Sequence, residues 1–301
     1  AGRPPGRAGC AATSRCGAKT NTTPEGKVKI ILTVLFCLCV LVGCKHKSPT
    51  VEIADPIIEK EIRRVLEKPS GELTKADLEK VTRLHLYYNK LTEVPNDFEN
   101  LTQLNDLFLE YNQLTSVKEL EKLTQLSTLH LSANKLTTVK GLEKLTQVKT
   151  MRLSAFEMIE PPKGLEKLSQ LEKLHLENYP PLKMGVADHN VLNSVERLEK
   201  LPLLRHLSLS GSVHSDVKGL EKLTQVKSMR FDVHLDEVPK GLEKLTQLEM
   251  LRLVTCHDVK ALEKLTNLRE LSLHAASGQA AQIDELQKAL PKCEIYSTPT
   301  K

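Results

Sequence analysis

Residues 126–147 read Leu126-Ser-Thr-Leu129-His-Leu131-Ser-Ala-Asn134-Lys-Leu136-Thr-Thr-Val139-Lys-Gly141-Leu142-Glu-Lys-Leu145-Thr-Gln147. The Leu129-His-Leu131 alternation has the two-residue period of a short strand with one buried face. Leu142-Glu-Lys-Leu145 places apolar residues three apart, which suits a helical or 3₁₀ turn on the opposite side. In this unit Leu126, Leu129, Leu131, Leu136, Val139, Leu142 and Leu145 all point inward. The segment Gly-Leu-Glu-Lys-Leu-Thr-Gln, or a close variant, occurs eight times between Phe98 and Asn267, each time leading into Leu-x-x-Leu-x-Leu. Units begin at Val81, Leu104, Leu126, Val148, Leu171, Leu204, Val226, Leu248 and Leu268, with a commonest spacing of 22 residues. Self-similarity at that period means a stack of short units, none of which buries its apolar side alone. One elongated solenoid fills most of the 301 residues.

The flanks look like covers for the ends of that stack. Asp55-Pro56 supplies an N-cap followed by a proline in the first helical position. Ile58, Ile62 and Val65 form a stripe at helical spacing, and Pro69 with Gly71 ends it. Thr74-Lys-Ala-Asp77 is a capping-box pattern for a second short helix. Residues 53–80 are therefore expected to form a helical N-terminal cap over the first of nine repeats, which span 81–276. Beyond them, 277–301 is expected to be a C-terminal cap and tail. There Ile283, Leu286 and Leu290 make a helical stripe up to Pro291, Lys292–Tyr296 a closing strand, and Ser297–Lys301 a frayed end.

This pattern resembles the leucine-rich repeat family, nearest its 22-residue bacterial internalin-like type, across about residues 53–296. The resemblance implies an α/β leucine-rich repeat solenoid with a concave parallel β-sheet. It also implies an Asn at the ninth repeat position, whose amide pairs with backbone groups in the turn after the strand. Asn89, Asn112 and Asn134 occupy that position, followed by Phe156, Tyr179, Ser212, His234, Cys256 and Ala276. Phe and Tyr do not enter so small a slot, so the fourth and fifth units are expected to be irregular. The fifth also carries about eleven extra residues within Pro180–Val195, expected to be a surface loop.

Charge is unevenly placed. The net charge is +5, but Arg3, Arg7, Arg15, Lys19, Lys27 and Lys29 stand against Glu25 alone, leaving 37 basic and 37 acidic residues from position 44 onward. A neutral repeat array argues against a nucleic-acid binder. The apolar run Ile30–Gly43 is 14 residues, shorter than the roughly 20 a membrane-spanning helix needs. With its basic lead it reads as a secretory signal. Leu41-Val42-Gly43-Cys44 resembles the bacterial lipobox, which implies that Cys44 is lipidated and that the protein is an envelope lipoprotein anchored to a membrane. Residues 1–27 precede an initiator expected at Val28 and are expected to be an over-extended translation or fragment artefact. Residues 44–52 are expected to form a polar tether.

No phosphate-binding loop, dinucleotide fingerprint, HExxH or Gly-x-Ser-x-Gly elbow occurs. His85, His130 and His175 share the fifth repeat position but lie two strands apart, about 9.6 Å, too far to share one metal ion. His175 and His206 come from adjacent strands and lack a third ligand. No catalytic residue, metal or cofactor is assigned. Cys256 and Cys293 are read as small buried apolar side chains, and the Glu-Lys pairs of the repeated segment as a solvated edge.

The outward strand positions carry more information. Tyr87, Tyr88, Phe108 and Tyr111 fall on two neighbouring units, and Arg152, Arg230 and Arg252 recur at position five further on. Aromatic residues and Arg dominate protein-binding hot spots. These residues point to a non-enzymatic, monomeric, envelope-anchored protein that binds a protein partner through its concave face. The alternative is a structural spacer or scaffold without a single concave site; a binder of peptide or glycan is third. An exposed aromatic patch favours binding, and burial of that patch under the N-terminal cap favours the spacer.

Overall fold

Each unit contributes one short strand to a common sheet, and three further strands lie outside that count. In chain order these are β1 (Arg83–His85), β2 (Asp106–Phe108), β3 (Thr128–Leu131), β4 (Thr150–Ser154), β5 (Lys173–Asn178), β6 (Leu192–Ser194), β7 (His206–Gly211), β8 (Val213–Lys218), β9 (Ser228–His234), β10 (Met250–Val254), β11 (Glu270–Ala275) and β12 (Glu294–Pro299). The computed structural model describes residues 48–136, 138–154, 159–178, 191–235, 237–254, 258–275 and 279–299. The segment expected to be a secretory signal, with Cys44, and Phe156, Tyr179, Cys256, Ala276 and most of the Pro180–Val195 insertion, lie outside these residues.

Ten strands form one parallel sheet in the order β1-β2-β3-β4-β5-β7-β9-β10-β11-β12. Nine come from the repeats and the tenth, β12, from the closing segment. Parallel pairing follows from the unit itself, because each chain returns along the opposite side before laying down the next strand. The register places one inward residue per strand side by side, from Leu84, Leu107, Leu129 and Met151 through to Leu271 and Ile295. Apart from the half-buried Ile295, this row is buried. In the third unit every leucine expected inside is buried, while Val139 packs half-buried against the core.

The turns are held by side chains that satisfy backbone groups. Buried Asn112 donates from Nδ2 to the carbonyls of Leu86 (2.7 Å) and Leu109 (2.9 Å), and its Oδ1 accepts from the N–H groups of Asn89 and Leu91. Asn134 repeats this one unit on. In the fifth unit a different asparagine, Asn178, one place earlier, ties the turn forward to the next unit. It is buried and donates to the Ser212 carbonyl at 3.0 Å. The Glu of the repeated segment is not merely solvated, which corrects the expectation. Glu143, Glu166 and Glu243 accept from the N–H of Gly141, Gly164 and Gly241 at 2.8–2.9 Å. Those bonds, with the carboxylate's bond to its own N–H, lower the carboxyl pKa of Glu143 and Glu166. Gly141 needs its φ of +102°, and a Cβ there would come 2.9 Å from the Lys118 backbone.

At the N-terminal end, α1 (Pro56–Val65) and α2 (Lys75–Leu78) bury Ile58, Ile62 and Leu78 in the continuous core. Asp55 caps α1, and Thr74 with Asp77 makes the capping box of α2. The tether expected over 44–52 is attached by its last residues. Val51 donates to the Leu73 carbonyl, Lys75 donates to that of Pro49, and Thr50 bridges antiparallel to Thr74. At the other end, α3 (Ala280–Ala289) buries Leu286. The frayed tail is corrected as well: β12 runs on through Ser297 to Pro299, because β11 offers a paired edge as far as Ala275. The insertion, expected to be a loop throughout, ends in β6, which pairs with β8 in a separate two-stranded parallel sheet.

Candidate functional site

Strand side chains alternate, so the residues flanking the leucine row face the other side of the sheet. Neighbours in register share that open face. The fifth repeat positions therefore line up as one row across the strands, His85, Phe108 and His130, then Arg152, His175 and Ser208, then Arg230 and Arg252. The row continues through Ser272 to Tyr296.

Its first part is aromatic. His85 stacks on Phe108 with centroids 4.6 Å apart and planes 4° from parallel, and Phe108 meets His130 edge-on at 4.8 Å. Beside it, Tyr88 stacks on Tyr111 at 4.3 Å and 6°, and Tyr87 stands edge-on to both His85 and Tyr88. Tyr88 and Tyr111 occupy the same left-handed turn position, with φ of 59° and 56°, which is why their rings overlap. Helix α1 reaches this cluster at its margin, where Glu61 Oε1 accepts from the His85 N–H at 3.3 Å. Tyr87, Tyr88 and Tyr111 nevertheless remain 52%, 67% and 53% exposed. Phe108 is half-buried beneath its neighbours.

Acids are interleaved with this row. Glu110 Oε1 lies 2.8 Å from His130 Nδ1. Burial alone would raise the Glu110 carboxyl, but the His130 hydrogen bond, its own backbone N–H and the charges of His130 and Arg152 bring it below the usual range. Further along, His175 Nε2 lies 3.0 Å from Glu177 and 3.2 Å from Ser210 Oγ. Asp232 pairs with Arg230 and lies 3.7 Å from Arg252. Of the three arginines expected to extend the contact surface, Arg230 and Arg252 thus share one carboxylate, and Arg152 closes no ion pair among the described residues, its charge reaching Glu110 only at longer range. Among the described residues, no group of three or more His, Cys, Asp or Glu is placed to hold a metal ion.

A sequence profile described as Leucine Rich repeats (2 copies) matches residues 102–144. These are the units that keep Asn112 and Asn134 at the regular spacing. No curated protein sequence matches the chain. Among solved structures, internalin C2 from Listeria monocytogenes is similar at 25% identity and a TM-score of 0.57, over 73% of this chain and 93% of that one. A leucine-rich repeat protein from Leptospira interrogans is similar at 27% identity and a TM-score of 0.53, over 74% of this chain and 57% of that one. The fold is a leucine-rich repeat solenoid.

Two open-face residues of this solenoid escaped the sequence reading. Lys173 occupies position three of the fifth unit, the position His206 holds in the sixth; His206 enters that reading only as a candidate metal ligand, and comparing that position across the repeats would have found Lys173. Tyr296, 54% exposed, prolongs the position-five row from β12. Its outward direction follows from aligning Ile295 with the inward leucines.

Proposed function

We propose that the protein is a non-enzymatic binding protein that holds a protein partner against the open face of its sheet, with Tyr87, Tyr88, Phe108 and Tyr111 at the centre of contact. The observation that carries this reading is the stacked Tyr88–Tyr111 pair, which keeps most of its surface in solvent while α1 packs beside it. Prestacked aromatic rings lose little rotamer freedom on binding and present large apolar area. The spacer alternative calls for those rings to lie beneath the cap, where they are not. The neutral charge from residue 44 onward favours a contact that rests on shape and aromatic area rather than on bulk electrostatics.

In the same proposal the protein acts at the bacterial envelope, anchored by a lipid on Cys44. The support is the Leu41-Val42-Gly43-Cys44 motif after a short apolar run. Among the described residues, no helix is long and apolar enough to cross a membrane. Cys44→Ala is expected to shift the protein out of the membrane fraction or to block its processing. An intact mass showing an unmodified Cys44 in the membrane-bound protein would refute the anchor.

For the binding face, a photo-crosslinking residue at Tyr87 is expected to capture a discrete partner from envelope extract, while the same residue at Lys140, on the far side of the unit, does not. Tyr88→Ala/Tyr111→Ala is expected to weaken that partner by about 2 kcal/mol or more, roughly 30-fold. Unchanged affinity in a folded double variant would remove the aromatic patch from the reading.

A further inference from the structure

Between the aromatic cluster and the Asp232 pairs, the open face carries two cations that close no ion pair, although the Arg152 charge is felt at Glu110. Arg152 on β4 and Lys173 on β5 are both exposed, and neither has an ion-pair partner among the described residues. The acids on the surrounding strands are occupied, Glu110 by His130, Glu177 by His175 and Asp232 by Arg230. Arg152 and Lys173 border a cavity of about 250 Å³ that His206 faces from β7 and Arg230 from β9. In its lining, the Ser208 hydroxyl is buried without a hydrogen-bond partner. Lys173 places positive charge near His206. Loss of water around the His206 ring, then the Lys173 charge, lower its pKa, with Glu172 the one acid opposing them.

We propose that this groove receives Asp or Glu carboxylates from an extended segment of the protein partner, an inference that rests on the protein-binding reading above. A phosphate is a poorer match. Phosphate sites gather several donors, commonly backbone N–H groups, around one point, whereas here the backbone N–H groups are committed to the strand ladder. The cations are instead spread across strands. Arg152 and Arg230 are three strands apart, about 14 Å at ~4.8 Å per strand. An extended chain crossing the strands places residues i and i+4 about 13 Å apart on one side. One carboxylate then meets Arg152 and Lys173, and a second reaches the Arg230 side only in competition with Asp232 for the guanidinium, with Ser208 supplying a neutral donor between them.

The test uses the full chain and a fluorescein-labelled octaglutamate peptide, read by anisotropy at low salt. Saturable binding is expected, weakened about ten-fold by Arg152→Gln/Lys173→Gln, which removes the charge-assisted contacts. Lys140→Gln/Lys260→Gln removes the same charge away from the open face and is expected to change binding less than about two-fold. Circular dichroism checks that both variants are folded. Absence of saturable binding, or equal loss in the two variants, overturns the proposal. So does displacement of the peptide by inorganic phosphate where chloride of equal ionic strength leaves it bound, since that marks a phosphate site. Tyr88→Ala/Tyr111→Ala separates this idea from the broader one. If that variant loses the crosslinked partner while octaglutamate fails to bind even the parent protein, the binding face stands and the acidic groove falls. If octaglutamate binds as expected and the tyrosine variant keeps its partner, the aromatic centre falls and the groove stands.

Discussion

Asn112→Ala tests whether the turn ladder holds the solenoid together as the structure implies. The Asn112 amide serves four backbone groups at 3.1 Å or less and a fifth, the Glu110 carbonyl, at 3.4 Å. Leu109 O retains a donor after truncation, because Asn134 Nδ2 also reaches it at 2.9 Å. The carbonyl of Leu86 and the N–H groups of Asn89 and Leu91 lose their side-chain partner. Leu86 is fully buried and Leu91 is 6% exposed, so water replaces those bonds poorly. At about 1 kcal/mol net for each lost bond, the cost is roughly 3 kcal/mol, about two decades in the folding equilibrium. Asn89→Ala is the matched control. Its amide donates only to the Tyr87 carbonyl in a half-buried turn, so it should cost under about 1 kcal/mol. Guanidinium unfolding followed by far-UV circular dichroism gives both numbers from midpoint and slope. An Asn112 variant within 0.5 kcal/mol of the parent, on the order of a typical surface substitution, would refute the ladder as a stabilising element. Equal losses in the two variants would refute its dependence on burial.

Three further outcomes follow from single sites. Gly141→Ala and Gly164→Ala share a φ near +100°, but a Cβ at 141 would meet the Lys118 backbone at 2.9 Å, whereas at 164 the nearest atom is the Glu143 Cβ at 3.5 Å. Unfolding should show about 1–2 kcal/mol for Gly164→Ala and at least 1 kcal/mol more for Gly141→Ala, and equal values would contradict the close approach. Burial, then Glu270 and Glu294, push the Cys293 thiol up to about 11. Iodoacetamide at pH 8 should therefore leave Cys293 unmodified in the folded protein and label it in denaturant. The Lys68 ammonium, then Thr74, hold the Asp77 carboxyl well below its ordinary value. A lowered folded pKa adds stability that is complete above the unfolded value near 4 and is lost as pH falls towards the folded pKa. The parent should lose stability relative to Asp77→Asn as pH drops below about 4, and parallel pH profiles would exclude this contribution.

The architecture was legible because the residues that fix it obey short, strict periods. Leu129 and Leu131 alternate, Leu142 and Leu145 lie three apart, and a slip of one residue would turn the leucine row to water. The parts that were missed obey longer or looser rules. Asn178 makes its own turn bond, forward to Ser212, from one place before the ninth position, so strict counting sees only Tyr179. Glu143 sits two residues after Gly141, a spacing legible in the repeated segment. Its bond, however, depends on the positive φ of that glycine, which no side-chain pattern reveals. The strand from Ser297 to Pro299 needs only a free edge on β11, and backbone pairing of that kind leaves little trace in a tail of small polar residues.

The open face was partly legible for the same reason that the core was. Packing fixes the inward positions as Leu, Met, Val, Ile or Phe, so differences between units accumulate where no packing acts. Those differences are ordered along the sheet. His85, Phe108 and Tyr111 give way to Arg152 and Lys173, and then to arginines neutralised by Asp232. That last pairing was available from the sequence, since Arg230 and Asp232 are two apart on one strand and must share a face. A ligand lying across the strands meets these zones in sequence, at a fixed step of about 4.8 Å. The backbone beneath is consumed by its own ladder and offers no donors, so side chains alone carry the discrimination. A partner matched to this surface needs apolar or aromatic residues over β1 to β3 and acids over β4 to β9. Reversing that order would set carboxylates against the Glu110 side and leave Arg152 and Lys173 opposite apolar groups. In the proposed binding mode, the sheet would therefore fix the direction in which such a segment runs as well as its composition.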